Sequence, residues 1–406
     1  MMRSIVFLCD GMADWPVDAL GGKTPLEVAA HPSMDWMAQK GLFGLAQTVP
    51  EGMPPGSDTA NLSVFGYDPK IYYTGRSPLE AVNMGIQLAP ADVAFRCNLV
   101  TLTGSDRLED CVMTDYSAGE ISTEEAAQLI AAMDALFRTD RVELHPGISY
   151  RHCLVLRQAE TGAQLTPPHD ISGRPVRDFL PQGENSALLR DMMERSFALL
   201  REHPVNQARV RAGKNPANCL WFWGEGRKPA LRPFRELYGV EKGGVISAVD
   251  LIRGIGRCAG LDVLPVDGRI TGTYETDFAA KGRAAIRAFQ QGYSFVYLHM
   301  EAPDECGHHG QVKEKIFSIE EIDRKVITPV LDYLRSTGEP FTALVMPDHP
   351  TPLSIRTHVS DPVPFALLDS RTPQDHHPGA AFTEAQAKAA GLLLPQACSL
   401  MGRLVR

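Results

Sequence analysis

Short apolar runs that end in segments rich in Asp and His constrain the fold of this chain more than any other feature. The runs SIVFLC at 4–9, FVYLHM at 295–300 and FTALVM at 341–346 are followed by DG, EAPDECGHHG and PDHP, and a fourth run at 364–368 follows THVSDPV. Such runs are typical of parallel strands buried on both faces, and helical patterns at 276–290 and 313–334 separate them. We therefore predict an α/β fold with a doubly wound, mostly parallel sheet that binds ligands beyond the carboxyl ends of its strands.

The middle of the chain has a different pattern. Strand-like runs at 93–102, 152–156 and 219–223 accompany helical segments at 122–137 and 185–202, and none of these runs ends in Asp and His. Ser122 and Glu125 have the spacing of a capping box at the start of the first helix. We predict that residues 91–239 form an α+β domain inserted into a core made of residues 1–90 and 240–406.

Composition excludes several classes of protein. The chain has 406 residues and a formal net charge of −9, so no global positive field attracts nucleic acid or an anionic membrane. No apolar run approaches the roughly 18 residues of a membrane helix, and Asp10 ends the first run too early for a signal peptide. Eight cysteines without a C-x-x-C pair indicate reduced thiols. We expect a cytoplasmic protein without nucleic-acid or membrane partners, and the sequence leaves its oligomeric state open.

Carboxylates and imidazoles concentrate in the segments that follow the apolar runs. The set comprises Asp10, Asp304, His308, Asp348, His349 and His358. Carboxylate oxygen and neutral imidazole nitrogen are ligands of Mn²⁺ and Zn²⁺. Six such groups are too many for one tetrahedral ion, but they fit two ions a few ångströms apart, the arrangement used for in-line displacement at phosphorus. Each residue taken alone could equally be a helix cap, a turn residue or a surface group.

Ser57 lies in PPGSDTANLSVFGYDP, where a Pro-Gly turn precedes a short helix predicted over 58–65. One interpretation makes Ser57 the N-cap of that helix, a common role for serine. The other makes its hydroxyl a nucleophile, because a helix N-terminus favours a phosphate and a nearby metal ion lowers the pKa of a hydroxyl. Local sequence favours the cap, whereas the predicted metal cluster favours the nucleophile.

Two cations stand out among scattered arginines and lysines. Arg227 follows an apolar strand in WFWGEGR, and Lys242 lies in the Gly-rich turn VEKGG. Both could present a positive charge to an anionic substrate, although a solvated surface charge is the ordinary role for each.

A series of motifs covers almost the whole chain: DGMADWP, LGGKTPLE, PPGSDTANLSVFGYDP, YYTGRSPLEA, FRCNLVT, SYRHCLV, ISAVDLIRGIGRCAGL, EAPDECGH, MPDHPTP and THVSDPVPF. With these motifs the chain resembles the cofactor-independent phosphoglycerate mutases of archaeal type, which belong to the alkaline phosphatase superfamily. The resemblance implies an alkaline phosphatase-like core, a mobile cap domain that closes over phosphoglycerate, and Ser57 as a phosphorylated nucleophile.

The resemblance also implies a cofactor and a set of ligands. Two divalent ions are expected, usually Mn²⁺, with Zn²⁺, Co²⁺ or Mg²⁺ as alternatives. One ion would be held by Asp304, His308 and His358. The other would be held by Asp10, Asp348 and His349 together with the Ser57 oxygen. Arg227 and Lys242 match positions where the family has substrate-binding cations, and Arg151 is carried over from the SYRH segment.

The implied reaction has two phosphoryl transfers. Ser57 takes the phosphoryl group from 3-phosphoglycerate, the cap holds the glycerate while it reorients, and the 2-hydroxyl then takes the group to give 2-phosphoglycerate, without 2,3-bisphosphoglycerate. Such an enzyme would act on a small phosphorylated substrate of glycolysis and gluconeogenesis.

One segment departs from the family pattern. Archaeal mutases resemble DRRAGRI in the cap, whereas this chain has DYSAGEI at 115–121 and lacks those arginines. This version resembles a bacterial branch for which homoserine kinase activity has been proposed. Three functions therefore remain open: a phosphoglycerate mutase, a phosphotransferase acting on homoserine or another small alcohol, and a phosphatase or non-catalytic relative.

Overall fold

The computed structural model describes residues 2–373 and 376–405, which divide into two compact units. We call Met1–Tyr73 with Ala230–Arg406 the core unit, and Thr74–Pro229 the inserted unit. These units meet at 73/74 and 229/230, whereas the predicted boundaries lie at 90/91 and 239/240. The helix Ser77–Asn83 packs on strands of the inserted unit, whereas the Phe234 ring lies 5.1 Å from that of Phe295 in the core unit.

The elements are numbered in chain order. The first part of the core unit contains β1 (Arg3–Cys9), α1 (Pro25–Val28), α2 (Pro32–Lys40), β2 (Leu42–Ala46), α3 (Ser57–Val64) and α4 (Pro69–Tyr72). The inserted unit contains α5 (Ser77–Asn83), β3 (Val93–Thr103), β4 (Val112–Asp115), α6 (Thr123–Phe137), β5 (Val142–His145), β6 (Arg151–Leu156), β7 (Ala163–Gln164), β8 (Gln182–Gly183), α7 (Ser186–Leu200), α8 (Pro204–Arg211) and β9 (Cys219–Arg227). The core unit resumes with α9 (Phe234–Tyr238), β10 (Gly243–Ile246), α10 (Asp250–Cys258), β11 (Asp262–Val263), α11 (Phe278–Gln290), β12 (Phe295–Met300), α12 (Ala302–His309), α13 (Val312–Ile322), α14 (Thr328–Ser336), β13 (Phe341–Met346), β14 (Val363–Asp369), α15 (Glu384–Ala389), β15 (Leu393–Leu394) and α16 (Ser399–Leu404).

The core unit is built on an eight-stranded sheet with the order β11-β10-β12-β1-β13-β14-β2-β15. All neighbouring pairs are parallel except those made by β14, which is antiparallel to both β13 and β2. The predicted mostly parallel α/β sheet is therefore confirmed. The expectation that 364–368 is another parallel strand is wrong, because the described segment 347–362 forms no crossover helix of the kind that parallel connections need.

Burial explains why the central strands read as continuous apolar runs. β12 and β13 are buried along their whole length, and β1 is buried from Ser4 to Cys9. Their side chains pack against α2, α11, α13 and α14 in one apolar core. The predicted helix at 313–334 is continuous but contains a π-helical turn at Asp323–Ile327.

The inserted unit has its own sheet and its own core, which confirms the α+β class predicted for it. Its strands have the order β4-β3-β6-β5. β9 pairs with β3 on the edge opposite to β6. α6 and α7 pack on one face of this sheet. Ser122 caps α6 by accepting a hydrogen bond of 3.2 Å from the Glu125 N–H, and α5 covers part of the opposite face.

Candidate active site

The predicted carboxylates and imidazoles lie together at one edge of the core sheet. β1, β12 and β13 run parallel, so Asp10 after β1, Asp304 after β12 and Asp348 after β13 all lie beyond the same ends. β14 runs the opposite way and begins at this edge, which brings His358 to the same place. The EAPDECGHHG segment is helix α12 rather than a loop, and its i, i+4 spacing puts Asp304 and His308 on one face.

Asp304, His308 and His358 form a first group. The Nε2 atom of His308 lies 3.3 Å from Oδ2 of Asp304, and that of His358 lies 3.4 Å from Oδ1. The two imidazole Nε2 atoms are 2.9 Å apart. All three side chains therefore converge on one point with donor atoms within 4.8 Å of one another, as ligands of a single cation would.

Asp10, Asp348 and His349 form a second group, which is wholly buried. The Nε2 atom of His349 lies 3.3 Å from Oδ2 of Asp348 and 3.6 Å from Oδ1 of Asp10. Oδ1 of Asp10 is buried without a hydrogen-bond partner. Because a buried carboxylate oxygen without a partner is costly, this orphaned atom fits a cation held by the second group.

Electrostatics at this edge also fit bound cations. Burial and the charge of Asp348 raise the pKa of Asp10 well above its usual range. Burial opposes ionisation of Asp304, but hydrogen bonds from His308 and His358 hold its pKa well below the usual range. Burial lowers the pKa of His349 and keeps its imidazole neutral, the form that ligates metals.

Ser57 is the first residue of α3, and Gly56 occupies the N-cap without a side-chain bond. The serine hydroxyl is therefore not the cap of this helix. Its Oγ lies 3.2 Å from Nε2 of His349, at the margin of the second group. The N-terminus of an eight-residue helix and a buried imidazole thus meet at this hydroxyl, a setting suited to a phosphoryl group.

Several polar residues that sequence reasoning missed hold the two groups in place. The Thr351 hydroxyl donates to Oδ1 of Asp304 and lies 3.2 Å from Nδ1 of His349, so it connects the groups. Asn61 donates bonds of 2.8 Å to Oδ2 of Asp348 and to the Ser57 carbonyl. Asn61 lies four residues after Ser57, a helical spacing that could have indicated its position.

Gly11 is required by the close approach of β1 to α12. Its φ is +60°, and a Cβ atom there would lie 2.6 Å from Cα of Asp304 and from Oγ1 of Thr351. Its N–H donates a 3.1 Å bond to Oδ1 of Asp348. The Asp10-Gly11 pair after the first strand therefore supplies both a candidate metal ligand, Asp10, and the space that Asp304 occupies beside it.

The structure does not bring Lys242 to this edge. Lys242 precedes β10, and Gly243 pairs with Phe295 at the start of the parallel β12, so it lies at the amino ends of the strands. Its Nζ donates to the Gln291 carbonyl at 2.7 Å. The structure therefore places Lys242 at the edge of the sheet opposite to the carboxylates and imidazoles.

The two predicted arginines lie in the inserted unit, Arg227 on β9 and Arg151 on β6, opposite different positions of β3. Arg227 pairs with Val93 and donates to the Ala159 carbonyl at 2.8 Å and to Glu160 at 2.9 Å. Arg151 pairs with Asn98 instead. Five residues of β3 correspond to about 16 Å along the strand, so the backbones of these two residues are well separated.

Arg151 belongs to a cluster of cations that sequence reasoning left as scattered surface charges. Arg96 is buried beside Arg76, and both donate to Oε1 of Glu80 at 3.0 Å and 2.9 Å. Although burial opposes it, the charges of Arg96, Arg76 and Arg151 lower the pKa of Glu80. Trp223 lies under the Arg96 guanidinium, 4.7 Å from ring centroid to Cζ. Glu80 therefore binds two guanidinium groups and is also influenced by the positive charge of a third, that of Arg151.

The DYSAGEI segment borders this cluster. The Tyr116 carbonyl accepts a 3.1 Å bond from the Asn98 side chain, and the Tyr116 ring lies 5.9 Å from that of Tyr150. Asp115 accepts hydrogen bonds from the N–H groups of Ser117 and Gly119. The Tyr116 ring thus contacts Tyr150, whose ring centroid lies 5.7 Å from Cζ of Arg151.

Among the residues that the structure describes, no helix is long and apolar enough to cross a membrane. All eight cysteines are free thiols.

Comparisons with known proteins give a consistent picture. The sequence profile of the family described as 2,3-bisphosphoglycerate-independent phosphoglycerate mutase matches residues 38–206. A protein of that name from Methanosarcina barkeri is 48% identical over 100% of both chains. One named as a probable enzyme of this kind from Geobacter sulfurreducens is 48% identical over 98% of both.

Solved structures show the same fold. A Pyrococcus horikoshii protein has a TM-score of 0.80 at 30% identity and covers 100% of this chain and 98% of its own. The cofactor-independent phosphoglycerate mutase from Thermoplasma acidophilum has a TM-score of 0.66 at 24% identity and covers 100% of both chains.

Proposed function

Because this chain belongs to the family of 2,3-bisphosphoglycerate-independent phosphoglycerate mutases, we propose that it interconverts 3-phosphoglycerate and 2-phosphoglycerate through a phosphoserine at Ser57. The observation that supports this mechanism most directly is the position of the Ser57 hydroxyl. It lies at a helix N-terminus, 3.2 Å from His349 and beside two groups of buried carboxylates and imidazoles.

Two divalent cations complete the proposed site. The first group, Asp304, His308 and His358, would hold one, and Asp10, Asp348 and His349 with the Ser57 oxygen would hold the other. We propose Mn²⁺ for both positions, since carboxylate and imidazole ligands without thiolate suit this ion, with Zn²⁺, Co²⁺ and Mg²⁺ as alternatives. When bound, such ions lower the pKa of the serine hydroxyl and offset the charge of phosphate oxygens.

The chain's own residues then account for the transfer. Oγ of Ser57 forms a bond to phosphorus as the bond to the 3-oxygen of glycerate breaks, and the serine proton ends on that oxygen. In the second half the 2-oxygen forms a bond to phosphorus as the bond from phosphorus to Oγ of Ser57 breaks, and the proton of the 2-hydroxyl returns to Oγ. Backbone N–H groups at the start of α3 face the phosphoryl group in both halves.

We propose that the inserted unit is the cap that retains glycerate between the two transfers. The cluster of Arg96, Arg76 and Arg151 around Glu80 supports this role, because guanidinium groups in excess of carboxylates attract a substrate carboxylate or phosphate. Arg151 is the candidate for direct contact, since its side chain is exposed whereas Arg96 is buried. Arg227 is engaged by Glu160 and is not assigned to this cluster.

The proposed setting is the cytoplasm, in glycolysis and gluconeogenesis, with a small phosphorylated molecule as the substrate. A net charge of −9 and eight free thiols agree with this setting.

A two-substrate assay on protein reconstituted with Mn²⁺ tests the proposed function. One reaction contains 3-phosphoglycerate without ATP, and the other contains homoserine with ATP. We expect 2-phosphoglycerate in the first reaction, by phosphorus NMR, and no phosphohomoserine in the second. Turnover of homoserine alone would make the chain a kinase and refute the mutase proposal, and release of phosphate alone would make it a phosphatase.

A further inference from the structure

A line of buried polar side chains ends at Oδ2 of Asp10. His299 is the next-to-last residue of β12 and is paired with Leu8 of β1, so its ring lies beside the end of β1. His299 and Lys281 are 0% exposed and Glu301 is 3% exposed. Fully buried charged residues are rare and need partners, so this line calls for a specific role.

The bonds along the line run from Lys281 to Asp10. Lys281 forms an ion pair with Oε2 of Glu301 and donates to the His299 carbonyl at 3.1 Å. Oε1 of Glu301 lies 3.2 Å from Nδ1 of His299. On the opposite side of the ring, Nε2 of His299 lies 2.9 Å from Oδ2 of Asp10. When Asp10 is ionised, as a metal ligand must be, its carboxylate can only accept, so Nε2 of His299 is then the donor of this bond.

Ser247 closes the arrangement around the ring. Its hydroxyl lies 3.0 Å from Nδ1 of His299 and 3.1 Å from Oε1 of Glu301. The Ala248 N–H donates a 2.6 Å bond to the same Glu301 oxygen. The imidazole therefore cannot rotate without breaking bonds on both of its nitrogens.

As a consequence, the two carboxylate oxygens of Asp10 have different and fixed surroundings. Oδ2 is taken by His299, whereas Oδ1 is buried without a hydrogen-bond partner and lies 3.6 Å from Nε2 of His349. Rotation of the carboxylate would give up the bond to His299. The ring thus keeps Oδ1 directed at the second group.

The first group is oriented by different residues. Oδ1 of Asp304 receives the Thr351 hydroxyl, and Nδ1 of His308 lies 3.0 Å from the Arg356 carbonyl. The Asp304 N–H donates a 3.1 Å bond to the Glu301 carbonyl, but this bond joins main-chain atoms only. Among the described residues, no side-chain bond of His299, Glu301 or Lys281 reaches Asp304, His308 or His358. A change at His299 should therefore affect one group and leave the other.

We propose that His299, held by Glu301 and Lys281, is a positioning residue that directs Oδ1 of Asp10 at the cation of the second group and thereby sets the affinity of that group alone. This inference rests on the proposed metal-dependent function. Residues that orient metal ligands typically change metal affinity by about 10- to 100-fold when they are replaced.

Two amide variants of the full-length protein test the inference. Gln is long enough to place an N–H donor near the position of Nε2, whereas Asn places its donor near Nδ1. His299→Gln should therefore keep the bond to Asp10, and His299→Asn should lose it. His152→Asn is the matched control, because His152 is an equally buried histidine of the inserted unit that accepts the Gly147 N–H.

Metal-free protein is titrated with Mn²⁺, and bound metal is counted by plasma mass spectrometry, with circular dichroism as a check of folding. We expect two equivalents in wild type, His152→Asn and His299→Gln. We expect His299→Asn to bind one equivalent normally and the other about 10- to 100-fold more weakly. In a His308→Ala background, which retains only the second group, His299→Asn should remove most of the remaining binding.

Other outcomes refute distinct parts of this account. Two equivalents bound normally by His299→Asn, or equal weakening of both equivalents, would overturn the positioning role. Equal losses in His299→Gln and His299→Asn would also overturn it, because the donor to Asp10 would then not matter. Fewer than two equivalents in wild type would overturn the two-metal proposal itself, and this inference with it.

Discussion

Gly11→Ala provides a sharp test of how tightly the site is packed. Gly11 has φ +60°, in the left-handed region that costs an L-residue about 1–2 kcal/mol. The new Cβ would also lie 2.6 Å from Cα of Asp304 and from Oγ1 of Thr351, closer than atoms can approach. Because one of these neighbours is backbone, α12 must shift, and Asp304 must leave its place in the first group.

Gly21→Ala is the matched control. Gly21 has φ +68°, and a Cβ there would have nothing within 4 Å, so this variant carries the conformational cost alone. Urea unfolding should show a loss of about 1 kcal/mol or less for Gly21→Ala, because a less flexible unfolded chain offsets part of the cost. Gly11→Ala should lose more stability and also lose metal from the first group, measured as bound Mn²⁺ per chain. Equal stability and full metal content in the two variants would refute the packing described for this edge.

Three further predictions concern the inserted unit and the cofactor. Arg151→Met should raise the KM for 3-phosphoglycerate by about tenfold or more, since hydrogen bonds to charged groups contribute roughly 1.5–3 kcal/mol. Two control variants, Arg138→Met at another exposed arginine of the unit and Arg227→Met, should change the KM little. Equal effects of all three variants would contradict the assignment of Arg151 as the residue that contacts the substrate. Burial raises the pKa of Asp92, but hydrogen bonds from backbone N–H groups and from Arg157 outweigh it, so the pKa is lowered overall. The ionised carboxylate therefore stabilises the fold at pH values above its unfolded pKa of about 3.9, and this stabilisation is lost as pH falls through the lower folded pKa. Asp92→Asn should therefore make the free energy of unfolding depend less on pH in acid, as followed by circular dichroism. Chelation should abolish mutase activity and Mn²⁺ should restore it, whereas full activity in metal-free protein would exclude the proposed cofactor.

The arrangement of the core site could be predicted because it depends on one rule of sheet topology. Asp10, Asp304 and Asp348 each follow a buried parallel strand, so their convergence needs no knowledge of long-range packing. The rule covers His358 only in part. Its position depends on β14 running antiparallel, which an apolar run alone does not reveal.

The same rule of sheet topology accounts for the position of Lys242. It precedes an apolar strand, and a residue before a parallel strand lies at the edge opposite to the one that binds ligands. Its positive charge and the Gly-rich turn around it carried no information about which edge it occupies.

The supporting residues were harder to predict because their signals are weak. His299 is a polar residue within the apolar run FVYLHM, and Lys281 lies among the buried residues of α11. Such interruptions are visible in the sequence, but their partners, Asp10 and Glu301, depend on how strands and helices pack. The cluster around Glu80 likewise joins α5, β3 and β6, and no local pattern brings these arginines together.

Intact-mass measurement of phosphorylated protein tests the central claim most directly. Wild-type protein loaded with Mn²⁺ is mixed briefly with 3-phosphoglycerate, quenched in acid, and compared with Ser57→Ala, whose fold should persist because Gly56 and not Ser57 is the N-cap of α3. The account predicts a single phosphoryl adduct on wild type, located at Ser57 by peptide sequencing, and none on Ser57→Ala at equal metal content. An adduct of the same size on Ser57→Ala, or 2-phosphoglycerate formed by that variant at the wild-type rate, would contradict it.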